Sequence, residues 1–122
     1  MIYAVRKAVL ASAIMIAAAT SAFAHAELVK SSPAPDSAVT SPSEIDLTFS
    51  EAVNPKFSGA KLSDSMKMDL ETGPATLAKG GDTTLVIPVA KPLAAGEYVV
   101  TWHNLSKDGH KSKGSFKFIV KP

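Results

Sequence analysis

The chain has 122 residues, 46% of them hydrophobic, with 13 Lys/Arg against 11 Asp/Glu and a formal net charge of +2. So even a balance leaves no electrostatic footprint for nucleic acid or an anionic membrane. There is no cysteine, which excludes disulfides and thiolate metal sites and leaves imidazole, carboxylate, amine and thioether as the available metal ligands.

The first segment, MIYAVRKAVLASAIMIAAATSAFA, has a basic start at Arg6 and Lys7, an apolar run over 8–19, and an A-x-A ending at Ala22, Phe23 and Ala24. That is the build of a secretory signal peptide, with cleavage predicted after Ala24. The apolar run falls short of the roughly 20 residues a membrane-spanning helix requires. Cleavage leaves a mature domain over 25–122, a single unit with one modest core. It also removes Arg6 and Lys7, so the mature chain carries equal numbers of acidic and basic residues. Export places the domain outside the cytoplasm.

From there the chain alternates short apolar-periodic runs with Pro-, Gly-, Ser- and Asp-rich punctuation, and no segment keeps a helical repeat beyond two turns. The spacing predicts strands over 27–31, 44–50, 58–63, 74–78, 84–88, 96–103 and 114–120. Ile45, Leu47 and Phe49 share one face of the second. In GEYVVTWH, alternation puts Tyr98, Val100 and Trp102 on one side, with Trp102 as a core residue, and Val99, Thr101 and His103 on the other. Seven short strands with such connections predict an all-β, Greek-key, immunoglobulin-like β-sandwich. The absence of a cysteine pair rules out an antibody-type domain.

The sequence holds three histidines, His25, His103 and His110. Cleavage after Ala24 would make His25 the first residue of the mature chain. Its α-amine and ring nitrogen could then chelate one metal ion without help from the fold. Such a chelate suits Cu(II), which prefers tetragonal N/O donors and heads the divalent affinity series. Taken alone, a histidine at a cut site is equally a chance residue.

The second candidate is Asp108-Gly109-His110. Residues two apart in an extended segment point the same way, so Asp108 and His110 could offer an oxygen and a nitrogen to one ion. By itself D-G-H also describes an ordinary hairpin turn with a solvated histidine. Together, His25, Asp108 and His110 make up four donors for a Cu(II) plane, whereas Zn(II) favours a tetrahedron. No serine sits in a G-x-S-x-G elbow.

His103 reads as a surface strand histidine, with a place beside the site as the alternative. Met66 and Met68 are spaced to share a strand face. Core or edge packing is their expected role, and a soft Cu(I) site the alternative.

Several stretches bear a family likeness: HAELVKSSPAPDSAVTSPSEIDLTFSEAV, then FSGAKL, then LVIPVAKPLAAGEYVVTWHNLSKDGHKSKGSFKFIV. The leading His, L-x-F-S-E, and G-x-Y-x-V-x-W followed by S-x-D-x-H and G-x-x-x-F are specific in combination. The mature chain resembles the CopC family of periplasmic copper-resistance proteins over nearly all its length. The resemblance implies a small β-sandwich binding one Cu(II) per chain through the amine and ring of His25 with Asp108 and His110, as a monomer without catalytic activity. It also implies an inner-membrane copper importer of the CopD type as partner. Family members with a second, Cu(I) site carry a Met-rich insertion with a histidine. The corresponding stretch here, SDSMKMDLETGPATLAKGGD, has Met66 and Met68 but no histidine, which implies the Cu(II)-only form. Two other readings of the sequence are a metal-free interaction or adhesion sandwich and a copper-dependent oxidase with an amino-terminal histidine site.

Overall fold

A computed structural model describes residues 27–122. The leader and His25 lie outside the described residues. Among the described residues nine strands run in chain order: β1 Leu28–Ser32, β2 Ala38–Val39, β3 Glu44–Phe49, β4 Gly59–Asp64, β5 Asp69–Leu70, β6 Thr76–Leu77, β7 Thr84–Pro88, β8 Gly96–Leu105 and β9 Lys111–Val120. All seven strands expected from the sequence are present. The two additions, β2 and β5, are two-residue edge pieces set among turn residues that hide them in the sequence.

The strands form two sheets, one ordered β1-β3-β7-β6 and the other β2-β9-β8-β4-β5. Neighbours such as β3 and β7, or β4 and β8, are far apart in sequence, so the chain crosses repeatedly between the sheets, as in a β-sandwich. Alternation along each strand supplies the space between them. Ile45, Leu47 and Phe49 from β3, with Leu85 and Ile87 from β7, face Leu62, Tyr98, Val100, Trp102, Phe118 and Val120 of the other sheet.

Trp102 is the central element of this core. Its ring meets Phe49 edge-on at a centroid distance of 5.2 Å, an arrangement favoured by the ring quadrupoles. On its other side it lies over Gly114, its partner in the β8–β9 register. A Cβ at residue 114 would stand 2.6 Å from the Trp102 Cζ2 atom, so only glycine admits the indole here. Tyr98 stacks on Phe118 at 5.7 Å, and its hydroxyl donates to the Ala94 carbonyl at 2.6 Å. A tyrosine hydroxyl tied to the backbone just upstream is a recurrent corner device in immunoglobulin-like sandwiches.

The methionine expectation fails. Met66 and Met68 are exposed and flank the β4–β5 turn, where Asp64 Oδ1 accepts both their backbone N–H groups at 2.9 and 3.0 Å. Lys67, the one residue between them, sits at φ 65° and breaks the period-2 pattern that would have put both side chains on a packed face.

Candidate metal centre

β8 and β9 pair in unbroken register from Gly96↔Val120 to Leu105↔Lys111, so residues 106–110 are the hairpin loop joining them. The Gly109 N–H donates to the Ser106 carbonyl at 2.9 Å, and the Ser106 N–H donates to the His110 carbonyl at 2.9 Å. Gly109 sits at φ 95°, in the region where a side chain is strained. This is the hairpin built from a tight turn followed by a left-handed residue, which selects glycine at that position.

The turn brings Asp108 and His110 together. His110 Nδ1 lies 3.0 Å from Asp108 Oδ1, with the two side chains 47% and 54% exposed. The expected outcome, two side chains pointing the same way, is reached by a different route. The segment is a turn rather than extended backbone, and the reversal at Gly109 supplies the convergence.

Ser106 completes the cluster. Its hydroxyl donates to Asp108 Oδ1, and its Oγ accepts the His110 N–H at 3.2 Å. The Ser106 hydroxyl and the His110 ring, in that order, hold the Asp108 carboxyl down to about 2, because both bonds favour the charged form. The sequence placed Ser106 in the S-x-D-x-H pattern but gave it no role. Its signal was available as a serine two residues ahead of an Asx turn residue, a short-range hydroxyl bond typical of turns.

The hairpin is also tied sideways. Lys107 N–H donates to the Ala52 carbonyl at 3.0 Å and Asn54 N–H to the Leu105 carbonyl at 2.9 Å, while Val53 and Ser106 form an isolated bridge. Two residues back along that loop, Ser50 Oγ accepts the Glu27 N–H at 2.9 Å, and Ser50 N–H donates to the Glu27 carbonyl at 2.8 Å. The first described residue is therefore stitched to the segment that flanks the hairpin.

His103 is exposed on the outer face of β8, opposite Gly59. It lines an open groove of about 520 Å³ with Phe57, Leu105, Lys111 and Lys113. Asp108 and His110 do not line that groove. Among the described residues no three His, Asp or Glu side chains come together as a metal cluster, so His103 does not join Asp108 and His110 in one.

Chemically, the tip offers one carboxylate oxygen and one imidazole nitrogen, both open to solvent. Two neighbouring donors at a right angle, each about 2.0 Å from an ion, stand about 2.8 Å apart. The observed 3.0 Å is within a few tenths of an ångström of that, so the pair fits an ion in the place of their shared proton.

A family profile described as the CopC domain matches residues 28–121. Copper resistance protein C of Escherichia coli is 43% identical over 121 residues, covering 94% of this chain and 96% of that protein. Among solved structures, CopC from Methylosinus trichosporium OB3b superposes with a TM-score of 0.75 at 32% identity, covering 80% of this chain and 95% of that one. PcoC, a methionine-rich copper resistance protein from Escherichia coli, superposes with a TM-score of 0.74 at 39% identity, covering 80% of this chain and all of the other.

Proposed function

The chain belongs to the CopC family, and on that premise we propose that it is a copper-binding protein of copper resistance that holds one Cu(II) per chain without catalysing a reaction. The ligands in this reading are the amine and ring of His25, with Asp108 and His110. The observation that carries it is the 3.0 Å approach of His110 to Asp108 at an exposed hairpin tip, in a fold shared with solved copper resistance proteins.

Chain geometry supports adding His25. Glu27 is fixed to Ser50, and Ala52, two residues further on, is bonded to the hairpin at Lys107. Two residues of extended chain, 25 and 26, reach roughly 7 Å beyond Glu27. The described residues supply two donors of the four a tetragonal ion takes, and a free amino-terminal histidine supplies the other two.

In this reading the fold serves as a rigid frame and the ion is the cargo. The β8–β9 register fixes the hairpin, the hairpin fixes Asp108 and His110, and the Ser50 anchor delivers the amino terminus. The chain acts in the periplasm after signal cleavage at Ala24, as a monomer that sequesters Cu(II) or passes it to an inner-membrane importer of the CopD type.

The test is titration of the processed protein with Cu(II), followed by quenching of the single tryptophan, Trp102, and by electron paramagnetic resonance. One tight equivalent is expected, lost in His110→Ala. Undiminished stoichiometric binding by His110→Ala would remove the proposed site.

A further inference from the structure

We propose that Ser106 is a positioning residue for the copper site: its hydroxyl sets the Asp108 carboxylate and the His110 backbone at once, so that the two ligands are held ready before an ion arrives. The inference rests on the Cu(II) reading above and concerns a residue that does not touch the ion.

Four contacts of Ser106 lead to it. The hydroxyl donates to Asp108 Oδ1, the same oxygen that His110 Nδ1 approaches. A carboxylate oxygen has lone pairs for both, so Ser106 fixes the rotation of the group without removing it from the ligand set. The Oγ atom also accepts the His110 N–H at 3.2 Å, which fixes the backbone that carries the ring. The backbone of Ser106 pairs with His110 on one side and bridges to Val53 on the other. Both therefore hold the hydroxyl in place.

Burial makes this placement firm. Ser106 is 2% exposed, whereas Asp108 and His110 are about half exposed. The immobile residue is thus the one beneath the ligands, and the ligands are the ones open to an arriving ion. A hydroxyl is required because one group must both donate to a carboxylate and accept from an amide. Alanine does neither, and a carboxylate in its place would repel Asp108. Partners that orient metal ligands in this way are typically worth about ten- to a hundredfold in affinity.

The experiment compares Cu(II) affinity, by competition with a chelator of known strength, and the Cu(II) electron paramagnetic resonance spectrum in five proteins. They are the parent, Ser106→Ala, Ser106→Thr, Asp108→Ala and the Ser106→Ala/Asp108→Ala double variant, each with apo folding checked by circular dichroism. Ser106→Ala is expected to bind about ten- to a hundredfold more weakly, with a changed spectrum. Ser106→Thr, which keeps the hydroxyl, is expected to restore most of the affinity. In the Asp108→Ala background the serine change should cost less than in the parent, since the part of its effect that runs through that carboxylate is already lost. Ser106→Ala binding within about twofold of the parent with an unchanged spectrum would overturn the proposal, as would full additivity in the double variant. If Ser106→Ala does not fold, Ser106→Thr decides: a folded threonine variant with parental copper binding supports the role, and one with the alanine-like loss predicted above contradicts it. A parent that binds no copper would refute the underlying Cu(II) reading, an outcome separate from all of these.

Discussion

Trp102 lies over Gly114 so closely that a Cβ at residue 114 would stand 2.6 Å from its Cζ2 atom. Because β8 and β9 stay in register from this pair out to the hairpin, the packing that holds the core also holds the loop. Gly114→Ala is expected to destabilise the fold by about 1–3 kcal/mol, the cost of overpacking a filled core. Urea unfolding followed by Trp102 fluorescence measures it, and a change below a few tenths of a kcal/mol would show that the indole moves freely.

Gly109 makes the same point at the tip. With φ at 95°, an alanine is strained there by roughly 1–3 kcal/mol. The turn is expected to rearrange and separate Asp108 from His110. Gly109→Ala should therefore weaken Cu(II) binding more than it lowers the unfolding midpoint, as read by paired copper competition and thermal melts. Parental affinity in a folded Gly109→Ala protein would show that the turn does not set the ligand geometry.

Asp108 gives the apo fold a pH dependence of its own. Its carboxyl is held down to about 2 in the fold against an ordinary value near 3.8. The stabilisation is therefore complete above the ordinary value and is lost as pH falls through the depressed one. The stability gap between apo parent and Asp108→Asn should be full at about pH 5 and vanish near pH 2. Copper release is a separate readout, a competition between protons and the ion for the ligands. Asp108→Asn is expected to lower affinity and therefore to raise the pH at which half of the ion is lost.

Asp46 behaves in the opposite sense. It lies on the outer face of β3 with Oδ1 buried and without a hydrogen-bond partner. Desolvation first, and Glu44 second, push its carboxyl up to about 6. A raised value means the folded state holds the proton more tightly, so stability falls as pH rises from about 4 to about 6 and then levels. Asp46→Asn, which mimics the protonated form, should be more stable than the parent above that window, by on the order of 1 kcal/mol once solvent screening is allowed for. Urea midpoints at about pH 4 and pH 7.5 test this, and no difference between the two pH values would contradict it.

The core was legible in the sequence because alternation in EIDLTF and GEYVVTW is a direct consequence of a two-faced strand. The short strands β2 and β5 were not, since neither two-residue piece stands apart from the turn residues around it. Met66 and Met68 misled for a related reason: residues two apart share a face only in extended backbone, and Asp64 instead caps a turn there. Asp108 and His110 met despite the same false premise, because Gly109 reverses the chain between them. Ser106 stood in the S-x-D-x-H pattern without a role, because the spacing signals a turn hydroxyl but not the burial of that hydroxyl behind Asp108 and His110. Nor could spacing indicate that Glu27 would be tied to Ser50, a contact between residues far apart in sequence that sets Glu27 beside the segment flanking the hairpin.

The central claim is that cleavage after Ala24 creates a copper ligand, and one comparison tests it most directly. The Cu(II) affinity of protein beginning at His25 is measured beside that of protein carrying one extra alanine ahead of it, with mass spectrometry fixing each first residue. The extra residue turns the His25 amine into a peptide amide and should weaken binding by at least about tenfold and change the nitrogen pattern of the electron paramagnetic resonance spectrum. Equal affinity and identical spectra in the two proteins would contradict the account.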